Sequence, residues 1–276
     1  MTSFYRNKRV LVTGGGGFIA SHLVEDLHRE GAQVRALVRY SSRADAGNLD
    51  FVAQNIRKDV EVIRGDVRDP HMMLQACEGV KIVFHLAALI GIPYSYHAPS
   101  EYVATNVAGT LNVLEAARRQ KVARFVHTST SEAYGTAQYT PIDEKHPLVG
   151  QSPYSASKIG ADKLAESYYC SFDLPVVTVR PFNTYGPRQS ARAIIPVILS
   201  QLLAGCECLH LGSLETGRFT VTGTFGSEPV DLSTGTLGAS GGDTIAFSGT
   251  IGTTAVRGVV QHQQGDSASV TFTVER

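Results

Sequence analysis

The sequence predicts an α/β fold: a doubly wound parallel sheet over residues 1–190, followed by a short β-rich segment that departs from it. Three observations lead there. Short apolar runs alternate with longer amphipathic stretches, as strands and helices do in a parallel sheet with right-handed crossovers. A run of glycines, Gly14 to Gly17, directly follows the first apolar run. From Phe219 to Arg276 the chain has no Lys, Gly and Thr dominate, and no helical period survives.

Taken in order, the predicted strands are Arg9–Thr13, Gln33–Arg39, Val60–Gly65, Ile82–Leu86, Phe125–Ser129 and Val176–Arg180. Each is short and rich in Val, Ile, Leu or Phe, the pattern of a strand buried on both faces. Between them, Ser21–Glu30, Tyr102–Arg119 and Tyr154–Cys170 carry a helical pattern. The tail shows period-two pieces instead, Thr244–Ser248 and Ser269–Val274, with turn signals at Gly241-Gly242-Asp243 and Gly265-Asp266. It reads as a small antiparallel module. The chain thus divides into 1–190, 191–218 and 219–276.

At 43% apolar residues the chain can bury a sizeable core and has no signature of disorder. Lys plus Arg equals Asp plus Glu, 25 each, so no overall field recruits nucleic acid or a membrane. An anionic ligand must be held by local geometry. No apolar run approaches the roughly 20 residues that span a bilayer. The N-terminus passes from a charged start straight into a strand with no signal-peptide core, so the expected compartment is the cytoplasm. Cys77, Cys170, Cys206 and Cys208 are irregularly spaced, and Cys206-x-Cys208 lacks a second ligand pair, so no metal is expected.

Strand, glycine run and helix in that order, ahead of a second strand, are the context of a Rossmann-type dinucleotide-binding crossover. Gly14 permits the tight turn and Gly17 lets the backbone approach a pyrophosphate. The helix N-terminus then offers free N–H groups and a positive dipole end. Ala20 stands where a third glycine is usual. The second strand ends Arg39-Tyr40-Ser41-Ser42-Arg43, without the acid that binds both ribose hydroxyls in NAD-selective sites. Arg39, Arg43 and the serines suit a 2′-phosphate, which favours NADP, with NAD as the alternative. A solvated basic loop is the plainer reading. Asp66, after the third strand, either meets the adenine amine or caps its own loop.

Tyr154 and Lys158 are four residues apart, hence neighbours on one helical face. A lysine cation beside a phenol favours the phenolate and makes a usable base near neutral pH. Such a pair is often mere surface. This one follows five strands and Thr128-Ser-Thr-Ser-Glu132-Ala-Tyr-Gly135, at a strand's carboxyl end, where open α/β sheets bind ligands.

These motifs resemble the extended short-chain dehydrogenase/reductases, the NAD(P)-dependent nucleotide-sugar epimerases and dehydratases. The matching pieces are Thr13–Leu23, Gly65-Asp66, His85-Leu86-Ala87-Ala88, Asn106–Thr110, Ser129–Gly135, Tyr154-x-x-x-Lys158 and Arg180–Arg188. Within that superfamily the likeness is greatest to sugar 4,6-dehydratases of the GDP-mannose type, which share Ser-Thr-Ser-Glu and the turn at Val38–Ser42. The resemblance implies that residues 1–190 bind the cofactor and carry the catalytic site, and that 191–218 begin the substrate-binding region. Residues 219–276 do not match the family.

It also implies roles. Tyr154 would take the sugar 4-hydroxyl proton, Lys158 would hold the nicotinamide ribose, and Thr130 would bond the reacting oxygen. Glu132 would remove the C5 proton made acidic by a 4-ketone, and the 6-hydroxyl would leave as water. Some dehydratases carry Asp where this chain has Ser131. Cofactor contacts would come from Gly14, Gly17, Phe18, Ile19, Arg39, Ser42, Asp66, Val67, Leu86, Ala87, Ala88, Tyr154, Lys158 and Pro181. Substrate would meet Thr130, Ser131 and Asn183, and Asn183 would contact its diphosphate; a turn-stabilising Asn is the plainer reading. Helices 102–119 and 154–170 would pair two copies as a four-helix bundle.

Other readings remain at this point. A nucleotide-sugar decarboxylase shares Ser-Thr-Ser-Glu but keeps the acid after strand two, and a 4-epimerase leaves Glu132 without a task. His97 falls in a loop expected beside the sugar, though such a His is often merely exposed. The unmatched tail, with only Arg257 and Arg276 as cations, allows a truncated or fused homologue that binds cofactor and dimerises without efficient catalysis.

Overall fold

The computed structural model describes residues 3–43 and 45–203, and beyond them the strands within 208–211, 220–225, 228–234, 244–251, 254–262 and 268–275. The chain forms two compact units, Met1–Arg188 and Gln189–Arg276. The turn signals Gly241-Gly242-Asp243 and Gly265-Asp266, and Cys206, lie outside the described residues.

In the first unit the strands are β1 (Arg9–Thr13), β2 (Gln33–Arg39), β3 (Glu61–Gly65), β4 (Ile82–His85), β5 (Arg124–Thr128) and β6 (Val176–Val179). All pair in parallel, in the order β3-β2-β1-β4-β5-β6. The predicted parallel sheet is therefore the observed one, with strand ends shifted by a residue. The order reverses between β1 and β4, which opens a crevice beyond their carboxyl ends. The register places Thr13 beside His85 and His85 beside His127 along that edge.

Successive side chains point to opposite faces, so each strand feeds two cores. Val10 and Val12 join Val24, Leu27 and Ile56 on one face, beneath α1 (Phe18–Arg29) and α2 (Gln54–Asp59). Leu11 and Val83 join Met73, Leu114 and Phe125 on the other, with α3 (Pro70–Ala76) and the later helices. This is why the runs read as continuously apolar. One charged residue enters the sheet's body: Arg35 of β2, whose Nη1 donates to the Ala76 and Glu78 carbonyls at 2.8 and 3.1 Å and whose Nε donates to Glu61 at 2.9 Å. Its cation answers the negative C-terminal end of α3.

The helices begin earlier than their sequence pattern suggests. Gly17 caps α1 in extended backbone, so α1 starts at Phe18 and not Ser21. After the short α4 (Ile92–His97), α5 (Pro99–Tyr102), a π turn (Val103–Ala108) and α6 (Gly109–Arg119) follow without a break. The π turn, a form common at functional sites, was not visible in the periodicity. α7 (Pro153–Phe172) starts with Ser152 in a capping box with Ser155 and ends at left-handed Asp173.

The second unit holds α8 (Ile194–Leu203) and the strands β7 (Cys208–Leu211), β8 (Thr220–Phe225), β9 (Glu228–Thr234), β10 (Thr244–Ile251), β11 (Thr254–His262) and β12 (Ala268–Glu275). They form one antiparallel sheet, β7-β12-β11-β10-β9-β8. The two period-two pieces fall in β10 and β12. Among the described residues no helix is long and apolar enough to cross a membrane, and no cluster of His, Cys, Asp and Glu is arranged to hold a metal.

Candidate active site

The glycine loop is tied down by its own backbone. Gly15 N–H donates to Leu37 O at 2.9 Å, and Gly17 N–H to Gly14 O at 2.8 Å. Gly14 turns the chain at φ +71, and a Cβ there would stand 2.9 Å from the Ala87 backbone, so glycine is required twice over. Gly16 is equally constrained from outside: a Cβ would meet Ala46 O at 2.6 Å, and Asn48 N–H donates to Gly16 O at 2.9 Å. Phe18 and the half-exposed Ile19 then open α1, whose first-turn N–H groups have no carbonyl partners within the helix.

Beyond the loop, a cavity of about 150 Å³ is walled by Gly14, Arg39, Asp66, Val67, Ala87 and Ala88. Asp66 accepts Arg68 N–H at 2.9 Å and the Arg68 guanidinium at 2.8 and 3.0 Å, while Arg68 also reaches Glu101 at 2.9 Å. Burial raises the Asp66 pKa, but the Arg68 hydrogen bonds and the nearby Arg39 charge outweigh it and leave the carboxyl below its usual value. Asp66 thus caps its own loop and also faces the cavity. The clamp by Arg68 was missed from the sequence; its signal was only adjacency. Val67 is buried in the core, with Gly109 against its side chain, so it can offer the cavity mainly backbone. Ser42 lies exposed in the turn beyond β2.

Leu86, Ala87 and Ala88 leave β4 under tight control. The Leu86 and Ala87 N–H groups both donate to Thr13 Oγ1 at 3.2 Å. Asn106, inside the π turn, accepts Leu89 N–H at 2.8 Å and donates to Leu89 O and Ser157 Oγ at 2.9 Å each. Below them His85 joins Thr13 (2.8 Å) to Thr110 (2.9 Å), its pKa driven well down by burial and then by His127 and Lys158.

Tyr154 and Lys158 sit one turn apart at the start of α7. Tyr154 is 7% exposed, with the Tyr102 ring edge-on at 6.2 Å. Burial raises its pKa, and the Thr130 hydroxyl beside the phenol works against that. Lys158 Nζ donates to Thr128 O at 2.7 Å, and burial pulls its pKa down to about 8. The expected lowering of the phenol by this lysine is therefore not what the structure shows. The ammonium is spent on the β5 carbonyl, and desolvation dominates both groups.

Thr130 caps the turn Ser131–Tyr134, accepting Glu132 N–H at 3.2 Å, and the Glu132 carboxylate stands exposed at the rim. Ser131 N–H donates to Pro181 O at 3.1 Å, joining the ends of β5 and β6. The structure thus gathers Thr130, Ser131, Glu132, Tyr154, Lys158 and Pro181. Asn183 is exposed on the loop after β6. That loop is strapped to α1 and to the segment after β2: His22 Nε2 meets Pro187 O at 3.0 Å, Arg188 pairs with buried Glu25, and Asn48 Nδ2 donates to Arg188 O at 2.9 Å. Nothing local in the sequence announces the strap, because its ends are far apart along the chain.

A switch-point crevice closed by a glycine loop, with a Tyr–Lys pair across from it, defines the extended short-chain dehydrogenase/reductase class. Within it, the chain belongs to the family described as GDP-mannose 4,6 dehydratase, whose model matches residues 11–221. It is 34% identical to human dTDP-D-glucose 4,6-dehydratase over 217 residues, 77% of this chain and 61% of that protein. It is 36% identical to dTDP-glucose 4,6-dehydratase of Actinoplanes sp. over 204 residues, 72% of this chain and 64% of that one. Among solved structures it resembles dTDP-glucose 4,6-dehydratase of Streptomyces venezuelae, determined with NAD bound, at TM-score 0.65 and 36% identity, covering 71% of this chain and 62% of the other. It also resembles UDP-N-acetylglucosamine 4-epimerase of Methanobrevibacter ruminantium at TM-score 0.67 and 30% identity, covering 72% and 64%. The chain spans less than two thirds of the length of these relatives.

The Gly14 geometry makes a direct prediction. Gly14→Ala adds left-handed strain of about 1–2 kcal/mol and a contact with Ala87, so dinucleotide affinity should fall roughly tenfold or more. Titration calorimetry with NADP and NAD reads this; unchanged affinity would mean the loop does not cradle the ligand.

Proposed function

We propose that this chain binds a nicotinamide dinucleotide and acts as a nucleotide-sugar 4,6-dehydratase. The observation that carries the reading is the convergence of Thr130, Glu132, Tyr154 and Lys158 at the carboxyl end of β5, beside the glycine-loop crevice. The residues suit the cofactor: Gly14 passes so near Ala87 that a Cβ would stand 2.9 Å from its backbone, and both residues wall the cavity beside Arg39 and Asp66. Gly14, Gly17, Phe18 and Ile19 would hold its pyrophosphate, Arg39, Ser42, Asp66 and Val67 its adenosine half, and Leu86, Ala87, Ala88, Tyr154, Lys158 and Pro181 its nicotinamide half. When bound, it would supply hydride acceptance at sugar C4 and hydride return at C6.

The chain's own groups do the proton chemistry. Tyr154 takes the 4-hydroxyl proton, with the Thr130 hydroxyl holding the same oxygen. Lys158, fixed on Thr128 O, presents its charge beneath them. Glu132 removes the C5 proton and hands it to the departing 6-hydroxyl; as hydride would return to C6, Glu132 passes a proton from solvent to C5, and Tyr154 releases to solvent the proton it took from the 4-hydroxyl. Ser131 offers no carboxylic acid for that second task, so Glu132 serves both. Asn183, exposed on its loop, is free to meet the substrate diphosphate.

Two finer features belong to this reading. The cofactor is NADP in preference to NAD: β2 ends without an acid, and Arg39 lines the adenosine cavity. The active form is a homodimer through helices 102–119 and 154–170, where Val103, Leu111 and Tyr169 are 40–59% exposed. A second reading, a 4-epimerase, is favoured by the likeness to the Methanobrevibacter enzyme.

Three measurements test these statements. Incubation with GDP-mannose and with UDP-, dTDP- and CDP-sugars should yield a product lighter by one water, and Glu132→Gln and Tyr154→Phe should each abolish it. A product of unchanged mass would indicate the epimerase, and no turnover despite cofactor binding would indicate a non-catalytic homologue. Arg39→Asp should weaken NADP roughly ten- to a hundredfold, the worth of a charge-assisted hydrogen bond, and leave NAD unharmed; equal loss of both would refute the 2′-phosphate role. In sedimentation equilibrium the protein should be dimeric and Leu111→Glu largely monomeric.

A further inference from the structure

Behind the Tyr154–Lys158 pair, α7 carries a buried carboxylate that the reaction scheme leaves unused. Asp162 is 4% exposed and follows Lys158 by one helical turn. Its Oδ1 accepts from His127 Nε2 at 3.0 Å. Its Oδ2 accepts from Ser129 Oγ at 2.8 Å and from Arg180 Nε and Nη2 at 3.1 and 3.0 Å.

Each donor is the chain neighbour of a site group. His127 precedes Thr128, whose carbonyl holds Lys158. Ser129 precedes Thr130, which bears on the Tyr154 phenol. Arg180 precedes Pro181, whose carbonyl receives Ser131 N–H. One carboxylate therefore gathers the last residues of β5, the first residue beyond β6, and the helix that carries the reacting pair.

We propose that Asp162 is the positioning residue of this site, locking the ends of β5 and β6 to α7 and setting where Thr130 and the Lys158 ammonium stand relative to Tyr154. The inference rests on Tyr154 and Lys158 being the reacting pair. A carboxylate is needed because it can only accept, and every partner here is a donor. An Asn would turn an amide N–H against one of them.

The charge matters as much as the geometry. Electrostatic coupling joins Lys158 to His85 from β4, to His127 from β5 and to Asp162 one turn along α7, while Tyr154 precedes it by one turn and Arg180, from beyond β6, reaches it through the Asp162 carboxylate. Burial lowers both histidine pKa values and keeps those rings neutral, which leaves Asp162 as the anion among these groups. Burial raises the Asp162 pKa, but the His127 and Ser129 hydrogen bonds and the Arg180 charge outweigh it, so Asp162 stays ionised. It holds Lys158 up against a desolvation that has already brought it to about 8.

The test titrates Lys158 in the full chain by the 13Cε resonances of labelled lysine, assigned with Lys158→Arg. Asp162→Asn should lower the Lys158 midpoint by about one pH unit, and Arg180→Gln, which removes a cation, should raise it. Both should weaken dinucleotide binding roughly tenfold, since both loosen the β5 and β6 ends. An unmoved midpoint in Asp162→Asn, or two variants shifting in the same direction as a generally loosened fold would, overturns the proposal. Should Asp162→Asn fail to fold by circular dichroism, Arg180→Gln decides alone, and no upward shift refutes it. None of these readouts needs turnover, so a wild-type protein inactive on every sugar would sink the dehydratase reading and leave this result standing.

Discussion

At the seam between β1 and β4 the chain leaves the sheet toward opposite faces while two backbones stay in van der Waals contact, and Thr13 holds them there. Its hydroxyl accepts the Leu86 and Ala87 N–H groups and meets His85 Nδ1, so the end of one strand organises the exit of its neighbour. Gly14 passes within contact distance of Ala87 because of that anchoring. The cavity beside Asp66 and the path of Ala87 and Ala88 follow from it. Without this seam the parallel sheet would form but would not open into a crevice of defined width.

The polar groups along the same edge form a buried set whose members satisfy one another, with His127 Nδ1 as the exception. His127 illustrates the constraint. Asp162 can only accept, so Nε2 of His127 must carry the proton, and its Nδ1 is left as a buried acceptor with no partner among the described residues. A buried acceptor of that kind costs less than an unpaired charge, and the neutral ring is what desolvation favours. The site thus pairs its buried charges: an ammonium on a carbonyl, and a carboxylate held by the Arg180 guanidinium and two neutral donors. In a low-dielectric interior each of these is strong when paired and costly when not, which makes the arrangement rigid.

The second unit is built on a different economy. Strands β8 to β12 follow one another in sheet order, so every pairing joins neighbours along the chain, while β7 closes the opposite edge against β12. Such a sheet asks only for alternation and turns, and Thr- and Val-rich period-two segments supply that. The family match extends to residue 221, past the start of β8. The enzymes it resembles are longer, and their likeness covers between 71% and 77% of this chain.

What the sequence determined by itself is what local periodicity and short spacing can encode. Continuous apolar runs placed all six parallel strands to within a residue, because a strand buried on both faces has no polar side to reveal. The glycine loop was legible because strand, turn and helix are contiguous, and Tyr154 with Lys158 because four residues make one helical turn. Tertiary structure alone decided the rest. The Asp162 partners are drawn from two other strand ends, the Arg188–Glu25 strap joins distant segments, and the π turn answers to Leu89 and Ser157 through Asn106. The same is true of the electrostatics: Lys158 turns to a β5 carbonyl, and Tyr154 is raised and not lowered, because burial is a property of the assembled neighbours. A spacing says which side chains share a face, but only the packed fold says how much water they keep.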